Sequence, residues 1–151
     1  MSERVIKGYH AHIYYDPKTT RAAAAKVRAG LAQFNVQLGS WHDEAVGPHL
    51  DAMYQAVFTQ EEFAEVVPWL MLNREGLSVL VHPSTGDGYG DHMERSLWLG
   101  EKLQFVRVEK RMTKIDDDEN IKYKFHEFPH RPHQGNERDH DEEVLQVFGT
   151  K

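Results

Sequence analysis

Val5-Ile6-Lys7-Gly8-Tyr9-His10-Ala11-His12-Ile13-Tyr14-Tyr15 is β-branched and aromatic with a period of two, so it reads as a strand. Alternation places His10 and His12 on one face and Ala11, Ile13 and Tyr15 on the other. Downstream, Asp16-Pro17 has the form of an N-cap with proline at the first helical position. Ala22 to Ala25, Val27, Leu31 and Phe34 supply an apolar stripe, which predicts a helix over about 18–35. Residues 36–46 read as an irregular strand, and Gly47-Pro48-His49 turns the chain into a cleaner strand at Ala52 to Phe58. Thr59-Gln60-Glu61-Glu62 fits a capping box opening a second helix over about 60–74, bent at Pro68 and ended by Gly76. Leu77 to His82 reads as a fourth strand, stopped by Pro83 and the turn-rich Ser84-Thr85-Gly86-Asp87-Gly88.

This β-α-β-β-α-β order is the split βαβ pattern of an α+β, ferredoxin-like fold: an antiparallel sheet with two helices on one face and the other face left for a ligand or partner. A further short strand is expected at Leu103 to Val108. From about Lys110 the composition changes to an acidic run, Asp116-Asp117-Asp118-Glu119, and then a Pro- and His-rich stretch. The expected organisation is a domain at 1–109 and a C-terminal tail at 110–151.

The whole chain has 151 residues, 40% of them hydrophobic and 28% charged, which suits one globular core and not two. A net charge of −6 offers no positive field, so neither nucleic acid nor an anionic membrane surface is an expected partner. With no cysteine there are no disulfides, thiolate metal sites or thiol nucleophiles. Met1 to Lys7 leads into no long apolar run, so the expected location is cytoplasmic. Ten histidines in a cysteine-free chain make imidazole the informative group.

Histidines two apart on a strand are separated by about 6.6–6.8 Å, a gap one metal ion can bridge. In the split βαβ sheet the first strand is expected to be central, antiparallel to the fourth and parallel to the third. His42, His49 and His82 would then collect near the start of the first strand, beside His10. Histidine with Asp43, Asp51, Asp87 and Asp91 nearby suits Fe(II), Mn(II), Zn(II) or Cu(II), held by two histidines and a carboxylate or by three histidines. Unligated imidazoles would serve as bases. The plainer reading of His10 and His12 is a half-wet sheet face or a dimer contact.

Other features carry less. Gly86-Asp87-Gly88-Tyr89-Gly90 lacks the lysine of a phosphate loop and reads as a turn or lid. Trp41 and Trp98 are candidates to stack on an aromatic ligand, Tyr14 to contact the substrate, and Arg74, at the end of the second helix, to hold a carboxylate; Trp69 reads as core. In the tail, His126, His130 and His133 have metal-like spacing but sit in a proline-interrupted segment and read as solvated.

Tyr9-His10-Ala11-His12-Ile13-Tyr14-Tyr15, Gly39-Ser40-Trp41-His42-Asp43, Val46-Gly47-Pro48-His49 and Pro68-Trp69-Leu70-Met71-Leu72-Asn73-Arg74 occur in order. Gly76 to Asp87, Asp91-His92 and Leu97-Trp98-Leu99-Gly100 follow them. Over about residues 8–106 this set resembles the fungal and bacterial DOPA 4,5-dioxygenase family. The resemblance implies a ferredoxin-like domain, often a homodimer, that performs extradiol cleavage of a catechol ring with Fe(II) and O2. For L-DOPA the product would be seco-DOPA, which cyclises to betalamic acid. It implies His10, His12, His42, His49, His82 and His92 as the pool of ligands and acid–base groups. Within that pool we expect His10, His12 and His82 on the metal, and His42, His49 and His92 in proton transfer. The alternative from another class is a non-catalytic module binding a metal or an aromatic metabolite.

Overall fold

The computed structural model describes residues 4–46 and 48–105. Eight elements follow one another: β1 (Gly8–Tyr15), α1 (Arg21–Leu31), β2 (Gln37–Leu38), β3 (Ala52–Phe58), α2 (Gln60–Asn73), β4 (Val79–Ser84), α3 (Gly88–Met93) and β5 (Leu97–Leu99). The strands form one open sheet in the order β2-β3-β1-β4-β5, every neighbouring pair antiparallel. The α+β, ferredoxin-like architecture expected from the sequence is what the chain adopts.

Period two along β1 decides the layering. Ala11, Ile13 and Tyr15 join Tyr54, Ala56, Phe58, Val79 and Val81 in the main core, where Ala24, Val27 and Leu31 of α1 and Val66, Val67 and Leu70 of α2 cover them. Burying side chains of this size stabilises the fold by about 1.5–3 kcal/mol each. Arg28 of α1 is fully buried on this side, its guanidinium 5.3 Å from the Trp41 ring and 5.0 Å from that of Tyr54. The opposite face carries His10, His12 and Tyr14 of β1, with Met53, Leu80 and Trp98 on the neighbouring strands.

Several expectations are corrected. β3 is antiparallel to β1, not parallel: the β1-α1-β2 crossover returns the chain parallel to β1, and the reversal between β2 and β3 then turns it back. Tyr15 therefore faces Ala52, and the approach to β3 enters at the end of β1, not its start. α1 begins at Arg21, because Asp16 is spent on a turn in which its carboxylate accepts from the Lys18 N–H at 2.8 Å. The Thr59 side chain makes no cap hydrogen bond, so the capping box is not formed. α2 continues through Pro68, and β4 continues through Pro83 to Ser84 because Pro83 faces Tyr9 within the ladder. β2 shrinks to two residues. The last strand is Leu97–Leu99, and of the segment expected as a strand at 103–108 the described part makes only a bridge at Phe105. The tail and its histidines lie outside the described residues. Among the described residues no helix is long and apolar enough to cross a membrane.

Candidate metal centre

Five histidines converge on the face not covered by α1 and α2. His10 and His12 come from β1, His82 from β4, His49 from the approach to β3, and His92 from α3; all are 0–2% exposed. His10 faces His82 directly across the β1–β4 ladder. The corrected direction of β3 brings His49 in beside Tyr14, so the group centres on His12 and not on the start of β1. α3, six residues after a glycine-rich turn, has no counterpart in the sequence reading, and it alone delivers His92.

The ring nitrogens form two overlapping groups, His10–His12–His82 and His12–His49–His92, each with one ligand atom per residue within 4.8 Å of the others. His12 belongs to both. Nε2 of His12 and Nε2 of His82 are 3.0 Å apart. Two imidazole nitrogens at the roughly 2.1 Å of a metal–nitrogen bond, about 90° apart on one cation, have this separation, so the donor set fits a divalent metal. Among the described residues both groups are histidine alone. Three of the four carboxylates considered as ligands are engaged elsewhere, Asp43 by Tyr15 and Arg21, Asp87 by Arg4 and Arg95, Asp91 by Thr85 and Arg95, and the fourth, Asp51, is exposed.

Hydrogen bonds on the far nitrogens orient the rings. Nδ1 of His82 lies 2.7 Å from the Pro83 carbonyl oxygen, and Nδ1 of His92 lies 2.7 Å from that of Gly88. A carbonyl only accepts, so each Nδ1 carries the proton and each neutral ring keeps its lone pair on Nε2. Nδ1 of His49 instead meets the Tyr14 hydroxyl at 2.7 Å, a group able to donate or accept.

Aromatic rings close over this group. Phe105 stands edge-on to His49 and to His92, at 5.7 and 5.6 Å, and 5.8 Å from Trp98, which stacks on Tyr14. Trp98, a stacking candidate from the sequence, reaches this face because its register lies opposite Leu80, itself opposite His12; Phe105 was not singled out.

The other candidates fall elsewhere. Trp41 packs on the helix-covered side against Tyr15 and Tyr54. Arg74 ends α2 and donates to the Leu77 carbonyl at 2.8 Å. His42 is half-buried, bridges to Met53 through its backbone, and joins neither histidine group. Of the expected substrate contacts, Tyr14 touches the histidines and Trp98 stacks on Tyr14. On the helix-covered side, burial and then the Asp43 hydrogen bond push the Tyr15 hydroxyl well above its ordinary value; Asp43 is held below its own, first by that bond.

The model of the Dopa 4,5-dioxygenase family matches residues 9–110. The chain belongs to this family. Among curated relatives, a family member that is 34% identical over 104 residues is the DOPA 4,5-dioxygenase of Amanita muscaria, the match covering 63% of this chain and 46% of that protein. A 21.2 kDa protein of Botryotinia fuckeliana with no assigned function is likewise 34% identical over 113 residues, covering 65% of this chain and 61% of its own. The chain thus spans about half to three-fifths of the length of these curated relatives. A crystal structure of a candidate dioxygenase from Nostoc punctiforme superposes with a TM-score of 0.64 at 56% identity, covering 66% of this chain and 87% of that one. Family membership is thus joined by a buried histidine group that can hold a metal.

Proposed function

We propose that this Dopa 4,5-dioxygenase family member is an extradiol ring-cleaving dioxygenase that acts on a catechol such as L-DOPA, opening the 4,5 bond with Fe(II) and O2. The observation that carries the reading is the 3.0 Å approach of His12 Nε2 to His82 Nε2 within a buried, all-histidine group. His10, His12 and His82 would hold the cation. When bound there, Fe(II) supplies Lewis acidity toward the catechol oxygens and a centre for O2 chemistry.

The remaining residues act on the substrate. With its proton fixed on Nδ1 by the Gly88 carbonyl, His92 offers an Nε2 lone pair that accepts a proton from a catechol hydroxyl. His49, paired with Tyr14, returns a proton to the opened ring. Positioned proton transfer of this kind contributes about 10²–10⁴-fold in rate. Phe105, Trp98 and Tyr14 provide flat apolar surface for a planar ring and keep water from it. His42 has no part in this scheme, since it stands outside both histidine groups. A homodimer and a cytoplasmic location complete the proposal, on the family resemblance and on composition respectively.

Anaerobically loaded Fe(II) protein, mixed with L-DOPA and air, is expected to consume one O2 per catechol and to give a yellow product absorbing in the visible. Absence of O2 uptake across a panel of catechols, with iron bound, overturns the proposal in favour of a non-catalytic binding module.

A further inference from the structure

Asp91 is 3% exposed and bears on none of the chemistry above. Its two oxygens accept three hydrogen bonds: Oδ2 from the Thr85 backbone N–H at 2.8 Å, Oδ1 from the Thr85 hydroxyl at 2.7 Å and from Arg95 Nε at 2.9 Å. Thr85 follows His82 by three residues, and Asp91 immediately precedes His92. The carboxylate therefore joins the chain leaving β4 to the helix that carries the fifth histidine. Arg95 extends the joint, donating from Nη2 to Asp87 Oδ2 at 2.9 Å, while Asp87 Oδ1 accepts from the Gly90 N–H at 3.1 Å. The His82 and His92 rings lie 4.1 Å apart between their centroids.

We infer that Asp91 is a positioning residue: through Thr85 it holds α3 against the end of β4, with Arg95 bracing the carboxylate, and so fixes His92 against His82. α3 has six residues, too few to be stable from its own hydrogen bonds. Its placement must come from contacts outside the helix, and the Asp91 carboxylate makes three of them, two to Thr85 before the helix and one to Arg95 after it. The carboxylate is required as such. Both of its oxygens face donors that cannot reverse, a backbone N–H on one side and a guanidinium N–H on the other. An asparagine would have to point its NH2 at one of these, leaving two donors opposed in a buried place. The isosteric amide is therefore nearly as damaging as alanine.

The geometry stands without the dioxygenase proposal. The experiment is carbethoxylation of histidines by diethyl pyrocarbonate on the full chain without added metal, each site followed by mass spectrometry in wild type, Asp91→Asn and Thr85→Val. His10, at the middle of the sheet, reports loss of the whole fold. The expected result is a rate at His92 at least tenfold higher in Asp91→Asn, with His10 unchanged and Thr85→Val between the two. If Asp91→Asn exposes His10 equally, the fold has been lost and Thr85→Val decides: a selective rise at His92 upholds the inference and its absence overturns it. An unchanged His92 rate in a folded Asp91→Asn overturns it directly. Failure of O2 uptake in wild type would strike the proposed activity and leave this result standing.

Discussion

The Tyr14 hydroxyl lies 2.7 Å from Nδ1 of His49, with both side chains buried beside His12. A tyrosine in this place acts on a neighbour more than on a ligand. As a ring-stacking contact its loss would appear in KM; as the partner that orients His49 its loss appears in kcat. Tyr14→Phe keeps the ring and its stacking on Trp98 and removes only the hydroxyl. We expect kcat to fall at least tenfold with KM little changed, measured by O2 uptake at varied catechol. A rise in KM alone would place the hydroxyl on the substrate and not on His49.

Metal content of anaerobically prepared variants separates the two histidine groups. His12 belongs to both, so His12→Ala is expected to retain no stoichiometric iron. His10→Ala should lose most of the iron and His49→Ala keep it. The opposite result would move the cation to His12, His49 and His92 and reassign His10.

Gly30 tests the packing that supports the sheet from its other side. Glycine inside a helix ordinarily loses to alanine by about 0.5–1 kcal/mol. Here a Cβ at Gly30 would run into Cζ2 and Cη2 of Trp69, where α1 and α2 meet. The sign reverses: Gly30→Ala is expected to destabilise by about 1–3 kcal/mol, as overpacking does, in chemical denaturation.

The Tyr15–Asp43 pair contributes to both edges of the pH profile. Asp43, held below its ordinary 3.8 chiefly by the Tyr15 hydroxyl, contributes stability that is present above that value and is lost as pH falls through the depressed one. Tyr15, raised above its ordinary 10.0 first by burial, contributes stability present below that value and lost as pH rises through the raised one. Tyr15→Phe should flatten the alkaline edge and weaken the acid one, read from urea midpoints across pH. An unchanged alkaline edge would show that Tyr15 does not govern it.

Much of the fold was legible because its signals are local. Period two along 5–15 identified β1 and put His10 and His12 on one face; Ala52 to Phe58 and the stretch 60–74 matched β3 and α2 closely. His82 was placed with them because alternation carries across a ladder. The reading failed where placement depends on direction or on contacts distant in sequence. Trp41 and Arg74 look like ligand contacts in a linear chain, yet one faces α1 and the other donates to the Leu77 carbonyl. α3 was read as a turn, since six residues rich in glycine have no helical signal of their own.

Which side chains belong to which strand face, and that imidazole would dominate the chemistry, followed from residue order alone, because pleating repeats every two residues whatever the partner. Tertiary structure decided which histidines meet. The reversal of β3 moved the centre to His12, and the Asp91–Thr85–Arg95 joint brought in His92, because strand direction and loop docking are set by contacts between residues far apart in the chain.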